Sequence, residues 1–232
     1  MVTWSFALID NITIQDFRDV QIHFGFPRTA LVEKDVYVVK ALAAIMAIDT
    51  TPFRLVFGGG TSLSRAHGVI RRMSEDIDLK ITGDREPKRS ELRRLRDAIT
   101  EALLKAGFHF DPSNPAHRIS RNESRYTIFR LPYEPLSRGE GVLRPEIQIE
   151  VAVWPLRCPA VNLPVRSFVA EAFGRPPEVA SLACVSITQT AAEKFVALTR
   201  RVAVELADAE SPRDPTLVRH IYDLQAIRPH YD

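Results

Sequence analysis

Two aspartates one residue apart, Asp76 and Asp78, follow a run of glycines and hydroxyls, Gly58-Gly59-Gly60-Thr61-Ser62-Leu63-Ser64. On a strand, positions i and i+2 face the same way. Asp76 and Asp78 are therefore expected to project together, while Ile77 and Leu79 enter a core. Two carboxylates held that close repel unless a cation lies between them. Magnesium suits the pair, because it takes hard oxygen ligands and shares them with substrate phosphates. Glycines let a backbone approach phosphate oxygens, and a helix beginning just after them aims N–H groups at the anion. There is no Gly-Lys-Ser/Thr, which excludes a Walker A loop. Alone, either feature is an ordinary turn or a solvated strand end. Together, in one strand–turn–helix–strand unit, they point to a nucleotide-handling site.

A third carboxylate has a natural source. In Glu146-Ile147-Gln148-Ile149-Glu150-Val151-Ala152-Val153 the apolar residues alternate with polar ones, as on a strand with one buried face. Glu146, Gln148 and Glu150 share the other face. Beside the aspartate strand, Glu150 would complete a magnesium site, with Glu146 behind it. The competing reading is a solvent-facing edge.

The elements that must position these groups can be read from periodicity and breakers. A short helix is expected over 13–25, and a longer one over 31–48 that Asp49-Thr50-Thr51-Pro52 ends. A strand over 53–57 leads into the glycines, a helix over 61–69 follows them, and 76–81 is the aspartate strand. After a charged loop at 83–89, Ser90 can cap a helix running to Ala106, with Leu92, Leu95, Ile99 and Leu103 at helical spacing and Gly107 as its stop. The opposite face, with Arg89, Arg93, Arg94, Arg96 and Lys105, reads as solvated, with nucleic-acid contact as the alternative. Strands are expected over 118–132 and 144–154. Pro155, Pro159, Pro164, Pro176 and Pro177 mark a connection at 155–178. A long helix over 187–206 carries Lys194, Arg200 and Arg201. A last helix, started by Asp214-Pro215 and running to Ile227, sets Arg219 and Asp223 four apart on one face. The division expected is an αβ core at 1–160 and a helical C-terminal part at 161–232.

Bulk properties leave this reading open and close others. The chain has 232 residues, 45% hydrophobic and 26% charged, enough for a hydrophobic core. A net charge of +2 permits a nucleic-acid partner without requiring one. Cys158 and Cys184 have no motif spacing, as expected of a reduced cytoplasm. No apolar run reaches the roughly 18 to 20 residues that span a bilayer. Met1 to Asp10 lacks the charge-then-apolar pattern of a signal peptide.

A family resemblance rests on five blocks. These are Glu33-Lys34-Asp35, Phe57-x-Gly59-Gly60-Thr61-Ser62-Leu63-Ser64, Arg72-x-Ser74-Glu75-Asp76-Ile77-Asp78-Leu79, Glu193-Lys194 and Arg219-His220-Ile221-Tyr222-Asp223-Leu224. Together, from about residue 31 to 228, they resemble the AbiEii/AbiGii nucleotidyltransferase toxins of type IV toxin–antitoxin systems. The resemblance implies an α+β fold, the polymerase-beta-like mixed sheet flanked by helices, with a helical C-terminal half. It implies transfer of a nucleoside monophosphate from an NTP, in some members onto tRNA, and an antitoxin encoded nearby. Carried onto this sequence, the catalytic set is Asp76, Asp78, Glu150, Lys194 and Asp223, and magnesium sits on Asp76, Asp78 and Glu150. Nucleotide binding falls to Gly59, Gly60, Thr61, Ser62, Arg65, Ser74, Lys194 and Arg219. Asp223, held by Arg219, would orient Lys194 or contact base or ribose. Two departures stand out: Arg65 where the family often has lysine, and Arg219-His220 where many members have Arg-Asp. The alternatives are a protein or small-molecule hydroxyl as acceptor, and a non-catalytic NTP-binding or scaffold module of the same fold.

Overall fold

The computed structural model describes residues 12–137, 143–207, 214 and 217–230. The segment Met1 to Asp10 and the expected helix-starting Pro215 lie outside them.

The sheet is built around the aspartate strand. Its strands are β1 (Arg54–Gly58), β2 (Asp76–Thr82), β3 (Arg118–Arg121), β4 (Tyr126–Pro132), β5 (Glu146–Val153), β6 (Val161–Val165) and β7 (Val179–Cys184), in the spatial order β3-β4-β5-β2-β1-β7-β6. β2 lies at the centre, antiparallel to β1 and parallel to β5. Ile77, Leu79 and Ile81 are buried, and the residues between them are half-buried. Each such apolar side chain contributes about 1.5–3 kcal/mol by leaving water. A one-residue slip would swing all three out and push both aspartates into the apolar layer, so the hydrophobic pattern fixes the register that the chemistry needs.

Beneath that layer run α2 (Thr29–Met46) and α4 (Arg89–Lys105), packed on the sheet through residues such as Leu42, Ile45, Leu95 and Ile99. The helix α2 is apolar on most of its surface and correspondingly buried. It nonetheless carries Glu33, Lys34 and Asp35, each about 1% exposed. Buried charges persist only when paired, and these three are paired in three directions. Glu33 accepts from the Leu136 N–H (2.7 Å) and from the N–H and hydroxyl of Ser137 (3.0 and 2.6 Å). Lys34 donates to Glu75, next to Asp76, and to the Arg144 carbonyl just ahead of β5 (2.9 Å). Asp35 accepts the Phe168 N–H (2.7 Å), which starts α5 (Phe168–Ala172), and faces Arg65 at 3.6 Å. Burial is the main reason that the Asp35 carboxyl rises to about 6, against the pull of Arg65.

On the other side, α6 (Ile187–Ala207) and α7 (Leu217–Ile227) face the sheet across a cleft. Leu63, Ile70, Ala191 and Ile227 join them to α3 (Gly59–Arg65). The remaining helix, α1 (Ile14–Phe24), packs on α2 and α5 and is capped by Thr13 and Asp16 as a reciprocal box.

Four expectations need correction. Residues 118–132 form a hairpin, because Asn122, Glu123 and Ser124 turn the chain with φ of 49°, 58° and 69°. Such values are uncommon outside glycine, and neither Gly nor Pro announces the break. The helix after β1 starts at Gly59, so both glycines belong to its first turn, and it stops at Arg65. Glu91, not Ser90, caps α4, by accepting the Lys88 N–H at 2.8 Å. The proline-rich stretch holds β6 and α5, and β7 follows it to pair in parallel with β1. The sheet therefore crosses residue 160, and the purely helical portion starts at Ile187. The basic residues of α4 lie away from the cleft, Arg96 pairing with Asp97 and Lys105 with Glu101. Cys158 and Cys184 are free thiols.

Candidate active site

Asp76 and Asp78 project from β2 into a cleft of about 510 Å³. In register beside them on β5 stand Gln148 and Glu150. Across from Asp78 on β1 is Gly58, so Asp78 reaches the first turn of α3. Gly59 has φ of 70°, and a Cβ there would stand 1.8 Å from the Asp78 Oδ2. Only glycine meets both conditions, the left-handed backbone and the carboxylate lying against it. A Cβ on Gly60 would come within 2.7 Å of the Ser74 hydroxyl and 3.0 Å of the Arg72 guanidinium. The strand–helix corner is thus closed tightly around the two aspartates.

Their electrostatics ask for a cation. Burial raises the Asp78 carboxyl to about 6, and Glu150 and Asp76 add repulsion. Asp76 is also raised, first by burial, with Arg144 opposing and Glu150 assisting. Among the described residues the buried Asp76 Oδ1 has no hydrogen-bond partner, an unmet acceptor that costs stability unless something supplies positive charge. Glu150 is less available. Its two oxygens accept from the Tyr126 hydroxyl (2.7 Å) and the Gln148 amide (2.9 Å). Burial, then Glu150, pushes the Tyr126 phenol up to about 12, so it stays a donor at neutral pH. Among the described residues no three His, Cys, Asp or Glu side chains form a cluster able to hold a metal by themselves. The donor set fits a hard divalent ion that takes one or two carboxylates from the protein and its other oxygens from a phosphate substrate.

Positive charge faces the carboxylates from the opposite wall. Asp223, fully buried, accepts two hydrogen bonds from Arg72 (2.7 and 2.5 Å) and pairs with Lys194 at 2.7 Å. Burial alone would raise the Asp223 carboxyl, but the bonds from Arg72 and Lys194 outweigh it and hold it below the usual range. Arg219 lines the same cleft, yet the partners of Asp223 are Arg72 and Lys194, which corrects the expected Arg219–Asp223 pair. His220 is pushed down by burial, then by Lys194 and Arg201, and is neutral at pH 7. Lys80 pairs with Glu193 deeper along the cleft.

The structure brings together Gly59, Gly60, Ser74, Asp76, Asp78 and Glu150 with Lys194, Arg219 and Asp223. It does not bring Thr61, Ser62 or Arg65. The Thr61 hydroxyl is spent on the Asp76 carbonyl, and the buried Ser62 hydroxyl lies beside the Cys184 thiol. Arg65 points the other way, with its guanidinium 3.4 Å from the centre of the Phe168 ring and ion pairs to Asp35 and Glu171. These three side chains lie outside the lining of the cleft. Arg72, Lys80 and Trp154 are among the cleft residues that were not expected at the site. Arg72 opens the block that leads into the aspartate strand, but its residue type alone assigns it no role there. Lys80 continues the i, i+2 row of Asp76 and Asp78, and Trp154 continues that of Glu150, so period two carried the signal for both.

A family model described as the nucleotidyl transferase AbiEii toxin, type IV toxin–antitoxin system, matches residues 40–231. The chain belongs to this family. It is an AbiEii nucleotidyltransferase toxin, and the aspartate pair, Glu150, Lys194 and Asp223 all lie inside the matched span. No curated protein matches the chain. Among solved structures, MenT4, a nucleotidyltransferase toxin from Mycobacterium tuberculosis H37Rv, shares the fold with this AbiEii chain. The two are 21% identical with a TM-score of 0.50, over 90% of this chain and 68% of that one. Among the described residues of the AbiEii chain, no helix is long and apolar enough to cross a membrane.

Proposed function

We propose that this enzyme transfers a nucleoside monophosphate from an NTP to an RNA hydroxyl, with tRNA as the acceptor, and so arrests growth. One observation carries the reading. Two same-face carboxylates, one with an unsatisfied buried oxygen, lie against a glycine-closed helix start and face Arg72 and Lys194. Nucleotidyl transfer needs positioning and charge neutralisation more than covalent catalysis, and this cleft offers both.

Asp76 and Asp78 would hold a divalent ion, magnesium in the cell, which supplies charge neutralisation at the triphosphate. Gly59 and Gly60 admit the phosphates close to the backbone, and the first-turn N–H groups of α3 have no partner within their own helix. Lys194 neutralises the polyphosphate from the helical wall, and Arg72 does so from beside Gly60. Glu150, held by Tyr126 and Gln148, accepts the proton of the attacking hydroxyl. As the new P–O bond forms, the bond to pyrophosphate breaks, and the leaving anion faces Lys194. Arg201 and Arg219, nearer the C-terminal helices, extend the positive wall where an RNA backbone would run. The cellular setting in keeping with free Cys158 and Cys184 is the cytoplasm, with the NTP pool at hand and an antitoxin from a neighbouring gene as partner.

The test is incubation with each labelled NTP, magnesium and total RNA, followed by separation of RNA from protein. Label is expected in RNA of tRNA size, and Asp76→Asn should leave none. Induced expression should slow growth, and Asp76→Asn should restore it. Label in protein or in a small molecule would move the acceptor to another class of hydroxyl. Equal labelling by the variant would remove the catalytic assignment.

A further inference from the structure

We propose that Trp154 is a stacking platform for a nucleobase, at the end of the cleft away from the glycines; this rests on the cleft being a nucleotide site. Trp154 is 54% exposed, where so large an apolar side chain is ordinarily mostly covered. It lies in the wall of the same cleft as Asp76 and Asp78, not on an outer surface. Its position follows from the strand. Glu150, Ala152 and Trp154 stand at i, i+2 and i+4. The Trp154 N–H donates to the Ile81 carbonyl at 3.4 Å, prolonging the β2–β5 pairing by a residue. The ring therefore stands on the face that carries the carboxylates, about 13 Å along the strand from Glu150. Ala152 between them projects only a methyl group and leaves the path open.

The surroundings suit a base better than an aliphatic ligand. The Lys80 ammonium stands over the ring, 5.8 Å from its centroid, and pairs with Glu193, while more than half of the Trp154 side chain stays open to solvent. An indole stacks on any base through its π-face, without requiring a hydrogen-bond pattern. Trp154 is too far from the reacting carboxylates to take part in bond making, so its effect is on binding. The base would come either from the NTP or from the end of the acceptor strand, and these two sources are separable by experiment.

The chain has two tryptophans, Trp4 and Trp154. In a Trp4→Phe background, indole fluorescence therefore reports on Trp154 alone. The protein is titrated with each NTP, with a short single-stranded RNA, and with inorganic tripolyphosphate as an anion that has no base. Quenching by an NTP or by the RNA, and none by tripolyphosphate, is the expected result, and the arm that quenches names the source. Trp154→Ala should weaken the quenching ligand about 5- to 150-fold with kcat nearly unchanged, and Trp154→Phe should keep most of the affinity. Equal quenching by tripolyphosphate, or unaltered affinity in Trp154→Ala, overturns the platform. Labelled-NTP binding is measured in parallel. If NTP binds normally and Trp154 is silent in every arm, only the platform fails. If NTP binds neither the parent nor the variants, the nucleotide site fails with it.

Discussion

Gly59 is the residue on which the active site turns. Its backbone adopts a left-handed φ, and the Asp78 carboxylate occupies the space a side chain would need. Gly59→Ala should displace Asp78 by the order of an ångström, and a shift of that size costs about 10²-fold in rate. The check is kcat for nucleotidyl transfer beside the circular dichroism spectrum, which should stay native. Asp78 itself supports a prediction about pH. Its carboxyl rises from 3.8 to about 6 on folding. Between those values the unfolded chain has released a proton that the folded protein still holds. Stability from this group is therefore lost as pH climbs, and the penalty is complete above about 6. Metal-free Asp78→Asn should melt higher than the parent at pH 7.5, with the gap closing toward pH 4. A gap independent of pH would mean that the buried charge is not its cause. The alternation Asp76-Ile77-Asp78-Leu79 made this row of side chains legible in the sequence, because period two needs no partner to be read. The roles of Thr61 and Ser62 were not legible. A hydroxyl beside glycines has the same appearance whether it faces a ligand or, as Thr61 does, its own fold.

Among the elements, α2 supplies the frame. Residues 33, 34 and 35 lie about 100° apart around the helix axis, so three successive side chains reach three separate segments. Lys34 joins the residue before Asp76 to the approach of β5, and so sets the starts of both carboxylate strands. Lys34→Met would leave Glu75 without its partner and the Arg144 carbonyl without a donor, a loss of about 3 kcal/mol. Urea denaturation of the purified variant measures it. Transfer should fall more than the fraction of unfolded protein accounts for, since the strands that present Asp76 and Glu150 lose a common tie. Arg65→Ala provides a contrast. It should lower the melting temperature by loosening Asp35 and Phe168 while leaving KM for NTP unchanged. A raised KM would return Arg65 to the phosphate site. Long periodic helices such as α2 and α4 could be read from sequence. The hairpin at 122–124 and the strand β6 could not. The first turns without glycine or proline. The second is a short strand with Pro164 inside it, tolerated because β6 is at the edge of the sheet.

At the scale of the molecule, the cleft is closed by one shared carboxylate. Arg72 comes from the segment ahead of β2, Lys194 from α6 and Asp223 from α7, and the three meet with little solvent access. Asp223→Ala should destabilise the fold by about 3 kcal/mol, because two half-buried cations would then face each other unpaired. Urea denaturation checks it, and a loss of only about 0.5 kcal/mol, as for an ordinary surface substitution, would count against the arrangement. Sequence order alone could not reveal that meeting, since Arg72 and Asp223 are far apart in the chain and Arg219, four residues from Asp223, is the nearer candidate by helical spacing. The arrangement also bears on traffic through the cleft. Asp223 acts as a resident counter-ion. In the proposed reaction an arriving polyphosphate would exchange one anion for another instead of meeting bare guanidinium and ammonium groups, and on the departure of pyrophosphate the carboxylate would already be there to take its place.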